Sequence, residues 1–252
     1  MNLTNPIWSA LLGGLFTWSM TALGASVVFF LKNINIRISN FMLGFSAGIM
    51  IAASFWSLLL PAAELCGNEM ELILNVIGGF GLGGVFVFGA DKMTDKTIHM
   101  TTTPQLRRSF LLILAITIHN IPEGLSFGVA YGNAAADATA LALGIGLQNF
   151  PEGAAVALPL RKEGYSRKAC FFYGQASAFV EPAAAVFGAW LASSIDFILP
   201  FALSFAAGAM IYVVVEELIP NSQSTSHLYG HCATWGAMLG FMVMTLMDIV
   251  IG

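Results

Sequence analysis

The chain has 252 residues, of which 57% are apolar and only 10% are charged, and its mean hydropathy is +0.79. Soluble domains carry roughly a quarter charged residues, so this composition excludes a soluble globular protein and predicts an all-α polytopic membrane protein. The net charge of −4 comes without a basic block, and we expect no nucleic-acid partner. The three cysteines form no C-x-x-C pair and predict neither a disulfide framework nor a thiolate metal site.

Eight apolar runs are long enough to cross a bilayer, since about 20 helical residues span its hydrocarbon core. Helices are favoured over strands because embedded backbone must satisfy its own hydrogen bonds. The first run has no basic residue before it and is too long for a signal peptide, so we count it as a span. No linker interrupts the series, which predicts a single domain over residues 1–252. The predicted spans are Pro6–Leu31, Ser39–Leu60, Leu72–Ala90, Ser109–Tyr131, Ala138–Leu160, Ala169–Ala192, Phe197–Ile219 and Cys232–Ile251.

The basic residues predict how the spans are oriented. All of them fall in alternate connections, between spans one and two, three and four, and five and six: Lys32, Arg37, Lys92, Lys96, Arg107, Arg108, Arg161, Lys162, Arg167 and Lys168. Connections rich in Lys and Arg stay in the cytoplasm. We therefore expect both termini outside, in a multi-pass protein of the cell's inner (plasma) membrane.

Two related hexapeptides occupy the middle of spans four and five. Residues 119–124 read His-Asn-Ile-Pro-Glu-Gly, and residues 148–153 read Gln-Asn-Phe-Pro-Glu-Gly. An unpaired carboxylate in hydrocarbon costs roughly 3 kcal/mol or more, so each Glu needs a partner. Helix positions i, i+3 and i+4 share a face. His119 and Asn120 are therefore predicted beside Glu123, and Gln148 and Asn149 beside Glu152.

Glu181 adds a third midspan carboxylate, in span six. The combined set of one imidazole, three amides and three carboxylates, without thiolate, suits borderline divalent ions such as zinc, manganese, ferrous iron and cadmium. Pro122 and Pro151 each remove a backbone donor and free a carbonyl, while Gly124 and Gly153 allow a neighbouring helix to approach.

Structural roles remain open for the same residues. Glu123 and Glu152 could be protonated acids bonded to the freed carbonyls. Glu181 could serve a proton relay or a structural hydrogen bond, and His119 could be a structural partner.

A second internal similarity lies outside the hexapeptides. Residues 45–51 (FSAGIMI) resemble residues 205–211 (FAAGAMI), and each segment precedes a proline, Pro61 or Pro220. These segments lie on oppositely directed spans, two and seven, as the hexapeptides do on four and five. Such inverted repeats are typical of secondary transporters with a site near the bilayer midplane. Chance recurrence of a small-residue motif is the alternative for spans two and seven.

The doubled Asn-x-Pro-Glu-Gly motif resembles the ZIP (ZRT/IRT-like protein) family of divalent metal transporters, and its Gln-Asn-Phe-Pro-Glu-Gly form is similar to the bacterial branch. The resemblance covers essentially the whole chain. It implies eight spans with both termini outside, in a homodimer that takes up zinc and similar ions. Spans one, four, five and six would move against spans two, three, seven and eight.

The resemblance also implies a ligand set. One metal would be held by His119, Glu123, Gln148, Glu152 and Glu181. A neighbouring second metal would be held by Asn120, Glu123, Asn149 and Glu152, with Glu181 close to both. Met50 matches a position that can contribute a thioether, although packing alone would also explain it. Gln148 stands where other members have His, which puts selectivity for zinc alone in doubt.

Two groups of residues near the membrane faces could extend this route, with solvated surface charge as the alternative. Glu64 and Asp248 are candidates for the outer entrance. The candidates for the inner exit are Asp91, Asp95, Glu216, Glu217, His227 and His231. The connection between spans three and four contains only His99, so metal sensing by a His-rich loop is not expected.

We therefore predict uptake of divalent transition-metal ions, zinc first and cadmium, iron or manganese next, by alternating access through a mononuclear or binuclear site. The sequence lacks a G-x-x-x-x-G-K-[ST] motif for ATP, and a divalent cation entering a negative interior gains roughly 4.6 kcal/mol per 100 mV. Proton coupling stays open. The alternatives are an exporter or exchanger with the same ligands, a metal sensor, and an intramembrane metalloenzyme. No H-E-x-x-H motif supports the enzyme, so we expect neither enzymatic activity nor a resident cofactor.

Overall fold

The computed structural model describes residues 5–30, 35–98, 104–133, 138–162, 164–194, 199–223 and 230–251. Over these ranges the chain forms eight long helical elements and no strand. His227 lies outside the described residues. Asp91, Asp95 and His119 lie on described helices, but their side chains are outside the description.

The elements are numbered α1 to α8 in chain order, and several contain a local irregularity. Their bounds are α1, Pro6–Ser26 with a 3₁₀ turn at Val27–Phe29; α2, Ile36–Ala53, a π-helical segment Ser54–Leu59, and Leu60–Glu64; α3, Glu69–Glu71, a π-helical segment Leu72–Ile77, and Gly78–Ile98; α4, Pro104–Gly132; α5, Ala138–Lys162; α6, Arg167–Ala176 and Val180–Ser194; α7, Leu199–Val213, a π-helical segment Val214–Leu218, and Ile219–Gln223; and α8, Gly230–Ile251.

Six of these elements contain a helical stretch long and apolar enough to cross a membrane, within the ranges described. These stretches are Pro6–Phe29, Ile36–Glu64, Glu69–Ala90, Arg167–Ser193, Leu199–Leu218 and His231–Val250. The other two elements, α4 and α5, carry the polar hexapeptides. The chain is a multi-pass membrane protein, as its composition predicts.

The most extensive helix contacts form four pairs, α1–α5, α2–α8, α3–α7 and α4–α6. In α2–α8, Phe41 lies against Gly236, Phe45 lies against Gly240, and Ser57 bonds to Asp248 further along both helices. The contacts advance in the same direction on both helices, so the pair is parallel. The other pairs show the same order of contacts: Thr17–Asn149 then Thr21–Gly153, Gly79–Phe201 then Gly83–Phe205, and Gly124–Glu181 then Gly128–Ala185.

Glycine permits the close approach within these pairs. A Cβ at Gly124 would overlap the backbone of Glu181 in α6, and one at Gly153 would overlap the backbone of Thr21 in α1. Both glycines of the hexapeptides therefore allow a neighbouring helix to approach, as predicted, because that helix's backbone occupies the space that a side chain would need.

Three of the departures from α geometry lie just before a proline. The π-helical segments of α2 and α7 end just before Pro61 and Pro220, which cannot donate a backbone hydrogen bond. In α6 the interruption at residues 177–179 comes just before Pro182. By contrast, α4 and α5 remain helical through Pro122 and Pro151.

Candidate metal-binding site

The two hexapeptides face each other where α4 and α5 meet. Gln148 Nε2 donates to Glu123 Oε1 over 2.8 Å, and both side chains are fully buried. The two motifs are thus in direct contact, through the side chains of Gln148 and Glu123.

Asn149 connects α5 to two further helices. Its Nδ2 lies 2.9 Å from both carboxylate oxygens of Glu181 in α6, and 3.2 Å from the backbone carbonyl of Thr17 in α1. The side chain of Thr17 also interacts with the Glu181 carboxylate. Glu181 is therefore held by residues of α1 and α5 and belongs to the same buried cluster as the hexapeptides.

The interruption of α6 creates the partner for Asn120. Glu181 N–H donates to the Ala178 carbonyl over 3.0 Å, one residue later than an α-helix would place the acceptor. The Ser177 carbonyl is thereby released, and Asn120 Nδ2 donates to it over 3.0 Å. A proline-induced break thus anchors α4 to α6 beside the buried carboxylates.

Four buried side-chain oxygens in this cluster accept no hydrogen bond within the described part of the chain. They are Asn120 Oδ1, Glu123 Oε2, Gln148 Oε1 and Asn149 Oδ1. A buried acceptor without a donor costs roughly 1–3 kcal/mol, and more if it is charged. Oxygen acceptors left free in a polar cluster are suited to a cation, which needs lone pairs and no donors.

The negative charge of the cluster also favours a bound cation. Glu123 lies within electrostatic range of both Glu152 and Glu181. The side-chain hydrogen bonds described for Glu123 and Glu181 come from the neutral amides of Gln148 and Asn149. Glu152 is 7% exposed. A cation would offset this buried negative charge, which the amides orient but do not neutralise.

The donors in this cluster are mixed rather than all acidic. Among the side chains that the structure describes, no three His, Cys, Asp or Glu residues converge into one group. The described donors are therefore carboxylates paired with amides, and the predicted imidazole of His119 lies outside the description.

Met50 and three hydroxyl-bearing residues lie on the helices around the cluster. Met50 is fully buried in α2, and Ser46, one turn before it, donates to the Gln148 carbonyl over 3.2 Å. Sequence reasoning singled out Met50 but missed Ser46, Thr17 and Ser177. In the sequence these three residues stand out only as polar residues inside apolar spans. Many hydroxyl residues with a purely structural role do the same.

The residues predicted near the two membrane faces have different surroundings. Asp248 Oδ1 accepts from Ser57 Oγ over 3.0 Å, whereas Glu64 is exposed where α2 ends. Glu217 lies within electrostatic range of Glu152. Glu216 is exposed and lines an external groove between α3 and α7. His231 is exposed near the start of α8.

The chain is similar to known proteins over most of its length. A family model described as ZIP zinc transporter matches residues 91–248. Zinc transporter ZIP11 of Homo sapiens is 38% identical over 339 aligned positions, covering 98% of each chain. Zinc transporter ZIPB of Bordetella bronchiseptica is 36% identical over 96% of this chain and 81% of its own, and zinc transporter GufA of Myxococcus xanthus is 33% identical over 97% and 99%. The resemblance predicted from the paired hexapeptides is confirmed, and the chain belongs to the ZIP zinc transporter family.

Proposed function

We propose that this protein imports Zn²⁺ into the cytoplasm through the buried cluster where α4, α5 and α6 meet. The observation that carries the proposal is a set of four buried oxygens that accept no hydrogen bond from the described residues, on Asn120, Glu123, Gln148 and Asn149, beside three buried carboxylates. Membership of the ZIP family supports zinc as the substrate. Cadmium, ferrous iron and manganese accept similar donors and are the expected competitors.

The proposed ligands form one or two adjacent positions. Glu123, Gln148, Glu152 and Glu181, with His119, would hold the first ion. Asn120 and Asn149 would add oxygen donors for a second ion that shares Glu123 and Glu152. This assignment is supported by the amide oxygens. Among the described residues, each amide nitrogen donates a hydrogen bond and each amide oxygen accepts none.

Eight spans, with both termini on the same side, are supported by the parallel helix pairs, and the basic residues predict that this side is the outside. In a chain whose successive spans alternate in direction, two spans are parallel only when their numbers differ by an even number. All four closely packed pairs, α1–α5, α2–α8, α3–α7 and α4–α6, obey this condition. We therefore count α4 and α5 as spans although their hexapeptides make them less apolar.

An inverted repeat is supported by matched local structure. The π-helical segments of α2 and α7 both begin nine residues after the repeated phenylalanines, Phe45 and Phe205. The glycines at the same place in each repeat make the same kind of contact, since a Cβ at Gly48 would overlap α8 and one at Gly208 would overlap α3.

The hexapeptides continue this correspondence. Asn120 donates to the Ser177 carbonyl in α6, and Asn149 donates to the Thr17 carbonyl in α1. Thr17 and Ser177 are separated by 160 residues, the same separation as Phe45 and Phe205. This matched separation supports treating the two asparagines, and the two helices to which they bond, as equivalent.

Alternating access would occur by movement of α1, α4, α5 and α6 against α2, α3, α7 and α8. Packing supports this division, because each closely packed pair lies within one group and contacts between the groups are sparser. Ions would pass Asp248 and Ser57, then Met50, and leave the cluster toward Glu217. The homodimer and the inner-membrane location remain predictions from the sequence.

Uptake of radioactive zinc into proteoliposomes without ATP tests the proposed function. The wild type should accumulate zinc, driven faster by an inside-negative potential, whereas Glu123→Gln and Glu152→Gln should each reduce the initial rate at least a hundredfold. Glu69→Gln, at an exposed acid, is the matched control and should transport normally. Normal uptake by both buried variants would falsify the site, and outward transport alone would favour an exporter.

A further inference from the structure

An external groove runs between α3 and α7, away from the buried carboxylates. Its volume is about 480 Å³, which lies within the roughly 300–1,000 Å³ typical of small-molecule sites. Apolar side chains line it, among them Val85, Phe88, Ile211 and Val215. Val85 and Val215 are 63% and 60% exposed, so within a membrane-spanning pair this surface faces lipid rather than water.

Glycine forms part of the floor of the groove. Gly81 and Gly84 line it, and a Cβ built at Gly81 would meet no atom of the described residues within 4 Å. The hollow is therefore open beside Gly81, where a larger residue would fill space without displacing a neighbour. An open hollow lined by apolar side chains fits a flexible hydrocarbon chain.

One end of the groove carries two opposite charges. Lys92 Nζ lies 4.8 Å from the centre of the Phe88 ring, which lines the groove, and Glu216 lines it from α7. Phe88 and Tyr212 approach across the pair, with ring centres 6.4 Å apart. Lys92 and Glu216 each follow one of these rings by one helical turn, and the helices are parallel, so both charges lie at the same end.

We propose that this groove binds a glycerophospholipid with a primary amine in its head group, such as phosphatidylethanolamine. One acyl chain would lie over Gly81 and Gly84, its phosphate near Lys92 and its ammonium group near Glu216. A lipid with only negative charge would be repelled by Glu216. A choline head group has no N–H to donate to that carboxylate.

Native mass spectrometry of the purified transporter tests this assignment with added dioleoyl phosphatidylethanolamine, phosphatidylcholine or phosphatidylglycerol. The wild type should retain phosphatidylethanolamine at least tenfold more than the other two. Gly81→Leu should lose this binding, because its side chain fills the hollow. Gly89→Leu is the matched control, since a Cβ there also meets nothing within 4 Å and Gly89 does not line the groove.

Two further variants test the head-group contacts. Glu216→Gln should reduce the preference for phosphatidylethanolamine over phosphatidylcholine, and Lys92→Gln should weaken retention of both. Equal lipid retention by Gly81→Leu and the wild type would overturn the proposal. The proposal would also be overturned if Gly81→Leu kept its lipid but separated a dimer into monomers. That result would identify the groove as a contact between two copies of the chain. Zinc uptake is measured separately, so loss of lipid binding and loss of transport are distinguished in every variant.

Discussion

Each amide in the buried cluster has two functions. The nitrogen of Gln148 or Asn149 donates to a carboxylate on another helix, and the oxygen of the same amide accepts no hydrogen bond from the residues that the structure describes. A carboxylate held in this way is already oriented before an ion arrives, which lowers the entropy lost on binding. The amides are therefore both positioning residues and candidate ligands.

We expect Asn149→Ala to impair transport through Glu181. Hydrogen bonds to a charged group contribute about 1.5–3 kcal/mol each, so losing the bonds to Glu181 should reduce the initial rate of zinc uptake by roughly tenfold or more. Asn133→Ala, at an exposed asparagine, should be neutral. A normal rate for Asn149→Ala in the same vesicles would show that this orientation is unimportant.

The sequence shows which polar residues the two hexapeptides have in common, but it does not predict which hydrogen bonds these residues form. The spacing of Asn120 and Glu123 predicts one helix face. In the structure, Asn120 also donates to the Ser177 carbonyl, which is available because Pro182 changes the hydrogen bonding of α6. A contact of this kind depends on tertiary packing, and no local pattern within the hexapeptide contains it.

Prolines and glycines determine how the helices bend and how closely they pack. Pro61, Pro182 and Pro220 each follow an irregular segment, whereas Pro122 and Pro151 lie in uninterrupted helix. The sequence predicts that each proline removes a donor. Whether the helix becomes irregular near a proline depends on the groups that surround the released carbonyl. The sequence alone does not predict which groups those are.

Gly48 and Gly208 should respond alike to substitution if α2 and α7 are equivalent halves of a repeat. Gly48→Ala and Gly208→Ala should each destabilise the protein by about 1–3 kcal/mol, because the added methyl overlaps a neighbouring backbone. Gly89→Ala, which has open space, should be neutral or slightly stabilising, since alanine is the better helix former. Thermal unfolding in detergent measures all three. If Gly48→Ala and Gly208→Ala were both as stable as the wild type, the close helix contacts described at these two glycines would be contradicted.

The whole molecule combines four parallel helix pairs into two groups, with the buried carboxylates in one of them. The helical, multi-pass character was predictable, because apolar length acts locally along the chain, whereas the eight-span count and the orientation stay predictions from apolar length and basic residues. The pairing of α1 with α5, or of α2 with α8, was not predictable, because most spans are apolar all round and show no preferred face.

Cysteine labelling tests the predicted topology. Cys66 lies between α2 and α3, on the predicted outer side, and Ser166 lies in the predicted cytoplasmic connection before α6. With Cys170 and Cys232 replaced by Ala, a membrane-impermeant maleimide should label Cys66 in intact cells. In the same background with Cys66 also replaced by Ala, Ser166→Cys should be labelled only after permeabilisation. The reverse pattern would contradict the orientation.

The pH dependence of this labelling has a defined sign. Burial raises the pKa of the Cys66 thiol, and the nearby Glu71 carboxylate raises it further. Because the thiolate is the reactive form, labelling should accelerate as pH rises toward that pKa. Glu71→Gln should lower the pKa and speed labelling at neutral pH.

Equilibrium zinc binding to the purified protein tests most directly whether the buried cluster is the metal site. Dialysis against buffered Zn²⁺, followed by measurement of bound metal, should give at least one tightly held ion in the wild type. The double variant Glu123→Gln, Glu152→Gln should lose it, while the exposed pair Glu64→Gln, Glu69→Gln should retain it. Undiminished tight binding in the buried double variant would contradict the account, because the ion would then be held elsewhere.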